Sequence, residues 1–151
     1  MKEFTGKYTD SGKIGNMLLD NYFRSLNILI NKIPKEELKN GKILEVGCGS
    51  GYSTERIKEM LPKSADFAAS DVEKENVKNA REKLGNSFVV TEESAYDLQR
   101  KDKSIDLILL LEVMEHLEYP DKALEEMKRV GRNYVIIGVP REPIWRILNM
   151  V

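Results

Sequence analysis

The stretch Ile43-Leu44-Glu45-Val46-Gly47-Cys48-Gly49-Ser50-Gly51-Tyr52-Ser53, ILEVGCGSGYS, decides how the rest of the chain is read. A short apolar run carries one carboxylate and then enters three glycines at alternate positions. Residues without Cβ atoms permit positive φ and let a ligand lie against the backbone. On the glycines alone, the turn is either a tight strand-to-helix connection or a cradle beyond the end of a strand.

Working outward, Lys42 to Val46 reads as a strand and Thr54 to Leu61 as a helix stopped by Pro62. Before them, Ile14, Met17, Leu18, Tyr22, Leu26, Leu29 and Ile33 recur at helical spacing up to Pro34. After them come a strand, Ala65 to Ser70, and a helix, Glu73 to Leu84, with Gly85 as its C-terminal cap. Phe88 to Thr91 is a third strand. Ile105 to Leu111, IDLILLL, is a fourth, apolar enough for burial on both faces. Pro120 to Val130 is a helix with Gly131 just past its end, and Tyr134 to Val139, YVIIGV, is a fifth strand. The link Glu92 to Ser104 has no clear helix, so a turn or 3₁₀ segment is expected there. Alternating strands and helices predict an α/β fold: a Rossmann-like parallel sheet with helices on both faces.

Composition narrows the function. The 151 residues suffice for one domain with a real core. A net charge of -1 advertises neither a nucleic-acid nor a membrane surface. The single cysteine, Cys48, excludes an intrachain disulfide and a cysteine-rich metal site. No apolar run approaches the roughly 20 residues of a membrane span, and MKEFTGKYTDSGK lacks the apolar core of a signal peptide. The expectation is a cytoplasmic protein without a metal.

Two carboxylates qualify the glycine turn. Asp71 stands 20 residues after Gly51, where it can accept the hydroxyls of a ribose, cap the next helix, or do both. Glu45 lies inside an apolar strand, where a carboxylate is costly without a partner. It either accepts from amides of the loop or faces a cationic ligand group. A nicotinamide or flavin dinucleotide would call for G-x-G-x-x-G, but Tyr52 occupies the last position and the pattern here is G-x-G-x-G.

The motifs ILEVGCGSGYST, AASDVEKENVKNAREKL, EESAYDLQRKDKSIDLILLLEVMEHL and YVIIGVP, in that order over Lys42 to Pro140, resemble the class I S-adenosylmethionine-dependent methyltransferases, in particular the type 11 methyltransferase domain. The resemblance implies S-adenosylmethionine as cofactor, S-adenosylhomocysteine as product, and methyl transfer to an acceptor that is unknown and expected to be a small molecule. A cofactor-binding fragment without turnover, completed by another chain, is the alternative.

By the same resemblance, Glu45, Gly47, Cys48, Gly49 and Gly51 belong to the loop around the methionine part of the cofactor. Asp71 holds the ribose and Val72 flanks the adenine. Ser94, Ala95 and Tyr96 meet the adenine edge, with Ser94 where the family often has Asp. Glu112, Val113 and Met114 lie under the methionyl group. Tyr8, in the leading segment, is placed to reach the methionine carboxylate. His116 matches a common Glu-His pair and is the one weak catalytic candidate; a structural role is favoured for it. Leu98 matches the family's Leu-Pro-Phe, but Gln99 and Arg100 replace the rest.

The resemblance divides the chain into an N-terminal helical segment, 1–34, a cofactor-binding core, 35–140, and a C-terminal segment, 141–151, that reads as truncated. It counts five of the family's usual seven strands. Strand five is then an edge, and a homodimer through it, or cover by the segment containing Trp145 and Leu148, is expected.

Overall fold

The computed structural model describes residues 13–85 and 88–139. Along the chain these form α1 (Lys13–Ile30), α2 (Lys35–Leu38), β1 (Lys42–Val46), α3 (Tyr52–Met60), β2 (Asp66–Asp71), α4 (Lys74–Leu84), β3 (Val90–Glu92), β4 (Ile105–Leu111), a 3₁₀ turn (Met114–His116), α5 (Pro120–Val130) and β5 (Gly131–Gly138). The strands make one parallel sheet in the order β3-β2-β1-β4-β5. The chain starts in the middle at β1, builds outward to β3, then returns past β1 to β4. The order therefore reverses between β1 and β4.

The apolar runs explain this arrangement. All seven residues of β4 are buried, as are the last four of β1. Alternate residues feed opposite faces of the sheet. Ile43, Leu107, Leu109 and Leu111 pack with Phe23, Leu26 and Ile30 of α1 and Ile57 of α3. Leu44, Val46, Ile108 and Leu110 pack with Ala123, Met127 and Val130 of α5. Helices thus cover both faces, and each fully buried Leu or Ile contributes about 1.5–3 kcal/mol. At the opposite end of the strands, Asp106 accepts the Lys42 N–H (2.8 Å) and pairs with Arg132 (2.7 Å), tying β1, β4 and β5 together.

Several boundaries differ from the reading of the sequence. The first helix ends at Ile30, not Ile33; the amides of Lys32 and Ile33 bond three residues back, and Ile33 keeps its core place from outside the helix. Gly131 does not merely follow α5. It opens β5, paired with Ile105, three residues before the expected start. A Cβ there would sit 2.7 Å from the Met127 carbonyl, so only glycine permits so abrupt a change of direction. The crossover 92–104 carries the expected turn, closed by the Asp97 N–H donating to the Ser94 carbonyl (3.0 Å). An isolated antiparallel bridge joins Ser94 to Asp97, and α5 holds the rest: Glu126 accepts the Leu98 N–H (2.8 Å), and Arg129 donates to the carbonyls of Leu98 and Arg100.

Among the described residues β5 is an outer strand. Tyr134 and Ile136 pack inward on the α1 side, while Val135, Ile137 and Val139 remain exposed on the other. Trp145 and Leu148, expected to cover this edge, lie outside the described residues.

Candidate active site

A sheet whose order reverses leaves a crevice outside the carboxyl ends of the two strands that part company, here β1 and β4. The glycine turn leaves β1 at that point. Its first two amides, of Gly47 and Cys48, both donate to the Ser70 carbonyl of β2 (2.8 and 2.9 Å). The Gly49 N–H donates to Asp71 Oδ2 (2.8 Å). Gly51 donates to the Cys48 carbonyl and stands as the N-cap of α3. The loop is therefore fastened to β2 by three amides before the helix begins.

The glycines serve different ends. A Cβ on Gly47 would strike the Val113 side chain at 2.4 Å, so its absence brings the segment after β4 against the loop. Gly49 has φ +54°, and a Cβ there would meet nothing within 4 Å. Its bareness thus answers to backbone shape and to open space on the crevice side.

Asp71 is buried at 6% exposure. Besides Gly49, it accepts from the Glu73 N–H (2.9 Å) and Asn76 Nδ2 (3.1 Å) through Oδ1. It is not the helix cap: Glu73 holds that position, without a side-chain cap bond. A carboxylate has about four lone-pair sites. With three in use, Asp71 has room for one further donor, and taking both ribose hydroxyls requires Asn76 to swing away. Val72, next in line, is 57% exposed at the mouth of the crevice.

Glu45 is buried at 1% exposure, in the middle of the sheet between Ala69 and Leu109. It does not accept from the loop amides. Its Oε1 accepts the Ser53 hydroxyl, and its Oε2 is buried with no hydrogen-bond partner. Burial pushes the carboxyl up to about 7 against the pull of the Ser53 and Thr54 hydroxyls, and nearby Asp71 adds to the rise. Cys48 is buried beside both acids. Burial first, then the charges of Glu45 and Asp71, push its thiol well above the ordinary range, which disables it as a nucleophile.

After β3, Ser94 accepts the Tyr96 N–H (3.2 Å), Ala95 enters the core against α5, and the Tyr96 hydroxyl accepts the Tyr119 N–H (3.2 Å). Ala95 thus packs inward, while Ser94 and Tyr96 stay half-buried. Glu93, absent from the sequence reading, is the buried anchor of this loop: it accepts from Thr91 and from the Gln99 N–H (3.1 Å) and pairs with Arg100 (2.8 Å). Arg100, where the resemblance leads one to expect Phe, is what closes that pair.

After β4, Glu112 takes φ +57°, rare for a residue with a long side chain, while its N–H donates to the Gly138 carbonyl of β5 (2.9 Å). Val113 and Met114 are half-buried against the α5-side core. His116 sits in the 3₁₀ turn with its side chain 49% exposed, 4.0 Å from Glu115. Tyr8 lies outside the described residues. The structure so joins the glycine loop, Asp71 and Val113 directly, and Ala95 and Tyr96 pack against the same core cluster as Val113.

Ser53 and Asn76 were missed in the sequence, although both follow their acids closely. A buried carboxylate needs a donor, and Ser53 is the first aliphatic hydroxyl after the loop. Among the described residues, no group of His, Cys, Asp and Glu is arranged to hold a metal ion, and no helix is long and apolar enough to cross a membrane.

The space at Gly49, the remaining capacity of Asp71, the exposed Val72 and the unpartnered oxygen of Glu45 fit a nucleoside carrying a cationic end. Comparison with known proteins agrees. The family described as a methyltransferase domain matches residues 44–137. An uncharacterised protein of Methanocaldococcus jannaschii is 32% identical over 107 residues, 70% of this chain and 47% of that protein. An uncharacterised methyltransferase of Schizosaccharomyces pombe is 30% identical over 111 residues, 62% of this chain and 37% of the other. The chain spans less than half the length of the curated relatives it matches. Among solved structures, a SAM-dependent methyltransferase from Aquifex aeolicus is 30% identical, with TM-score 0.60 over 71% of this chain and 61% of that one. A Pyrococcus horikoshii protein, 20% identical, superposes with TM-score 0.68 over 87% of this chain and 61% of its own, which speaks to the fold alone. The chain belongs to the methyltransferase domain family, the S-adenosylmethionine-dependent enzymes built on a Rossmann-like sheet.

Proposed function

We propose that this chain binds S-adenosylmethionine at the β1/β4 switch and transfers its methyl group to a small-molecule acceptor. The observation that carries the reading is the glycine turn pinned to Asp71 through the Gly49 amide, with open space at Gly49 itself. The cofactor supplies an electrophilic methyl on a sulfonium centre. The residues assigned to hold it are Glu45 and Gly47 to Gly51 for the amino-acid end, Asp71 and Val72 for the ribose and adenine, Ser94 to Tyr96 for the adenine edge, and Glu112 and Val113 near the methionyl group. The work of the chain is to orient and to exclude water, since proximity supplies much of the acceleration in such a displacement. Cys48, buried and with its thiol pushed up by that burial, is assigned no covalent part. His116, half-exposed, remains the one candidate to receive a proton from the acceptor.

Residues 35–140 are assigned as the cofactor-binding core, acting in the cytoplasm without nucleic acid. A second reading is a binding module without turnover, completed by another chain. The exposed Val135, Ile137 and Val139 on outer strand β5 favour completion by a second copy. Transfer of labelled methyl from S-adenosylmethionine to a panel of small amines, alcohols and thiols tests the first reading. Binding without transfer, together with a dimer in light scattering, supports the second.

A further inference from the structure

Glu45 is left half-finished by the fold. One oxygen takes the Ser53 hydroxyl and the other, buried, takes nothing. Among the described residues, no cation is paired with it. Across the sheet it faces Ala69 and Leu109, both apolar. From α3 come the Ser53 and Thr54 hydroxyls, from the loop the Cys48 thiol, and from β2 the like charge of Asp71. On α3, Arg56 is engaged with Asp20 and lies over Phe23, and Lys58 lies over Phe88. Asp71, by contrast, accepts from three N–H donors. A buried carboxylate with hydroxyl donors too few to offset its burial, and with no counter-charge, takes up a proton instead.

We propose that Glu45 holds a proton in the ligand-free protein and surrenders it when the ammonium of an amino-acid-bearing ligand arrives above the glycine loop, so that one positive charge replaces another. The proposal rests on the cofactor reading above and adds to it the exchange. The carboxyl O–H bond breaks, the proton leaves to solvent, and the carboxylate that remains is balanced by the incoming ammonium. Direct contact is not required, because an opposite charge within about 4–6 Å already favours the ionised form. Burial raises the carboxyl to about 7, which puts the exchange near neutral pH.

The test is calorimetric titration of the whole chain at pH 7 in phosphate and in Tris, whose ionisation heats differ. S-Adenosylhomocysteine, which keeps the ammonium, should release about half a proton per molecule bound. 5′-Methylthioadenosine, which lacks the amino-acid end, should release none. The affinity for S-adenosylhomocysteine should rise roughly five- to tenfold from pH 6 to pH 8, and Glu45→Gln should abolish both the release and the slope. Equal heats in the two buffers, or a release that persists in Glu45→Gln, overturn the exchange while leaving the cofactor reading intact. Failure of S-adenosylhomocysteine to bind at all overturns both. If Glu45→Gln does not fold, the wild-type buffer pair and 5′-methylthioadenosine still decide.

Discussion

At the same end of the sheet, one strand apart, β1 and β2 each bury an acid, and the two surroundings are built differently. Around Asp71 the backbone does the work: the amides of Gly49 and Glu73, with Asn76, occupy most of its lone pairs. Around Glu45 only hydroxyls approach, Ser53 bonded to one oxygen and Thr54 close by, and the other oxygen has no bond of good geometry. A saturated carboxylate fixes the shape of a loop. An unsaturated one keeps capacity for something that has yet to arrive. The first region is structural first and ligand-binding second, and the second region the reverse.

Breaking the first region should have the largest effect. Gly49→Val places a β-branched side chain at φ +54° and fills the crevice side of the loop. Binding of S-adenosylhomocysteine should vanish in a protein that remains soluble; wild-type affinity there would mean that the ligand does not lie on this loop.

Next comes a signature of Glu45 in the unliganded protein. Its folded carboxyl titrates near 7, above the ordinary 4.5, so between those values the native state holds more protons than the unfolded chain. Stability should therefore fall as pH rises through that window, by about 3 kcal/mol once pH exceeds 7. Glu45→Gln should remove this component, so that variant and wild type converge at pH 5 and diverge at pH 8, with the variant the more stable. Parallel stability profiles across that range would contradict the contrast between the two acids.

Asp71→Ala follows. It removes a charged acceptor from two amides and from the ligand, so cofactor affinity should fall at least tenfold, or roughly 1.5–3 kcal/mol, and the melting temperature should fall with it. A loss of stability with affinity untouched would assign Asp71 to the fold alone. The smallest effect is expected at Glu112, whose left-handed backbone is costly for any residue with a Cβ. Glu112→Gly should relieve that strain and raise stability by about 1 kcal/mol or less, measured by denaturant unfolding. A decrease would show that the side chain contributes more than the strain removes.

The same contrast explains what was legible in the sequence. β4 and β1 could be read to the residue because unbroken apolar runs in a parallel sheet have one place to go. Helix α2, Lys35–Leu38, was missed because four residues carry no periodicity. The start of β5 was missed because a glycine after a helix reads as a cap, and only the register with Ile105 turns it into a strand. In the site, the glycines and Asp71 announce themselves by spacing. The Ser53 bond to Glu45 and the Glu93–Arg100 pair depend on how strands and loops align in space, and no local pattern encodes that. Ser94 to Tyr96 show the reverse limit: their place after β3 was legible, but not that Ala95 would face the core.

Calorimetric titration of the wild-type chain with S-adenosylhomocysteine tests the β1/β4 switch as a cofactor site without any assumption about the acceptor. The account predicts saturable heat at one ligand per chain, together with a melting temperature that rises with ligand concentration. Folded protein that gives no heat and no shift with millimolar S-adenosylhomocysteine or S-adenosylmethionine would contradict it.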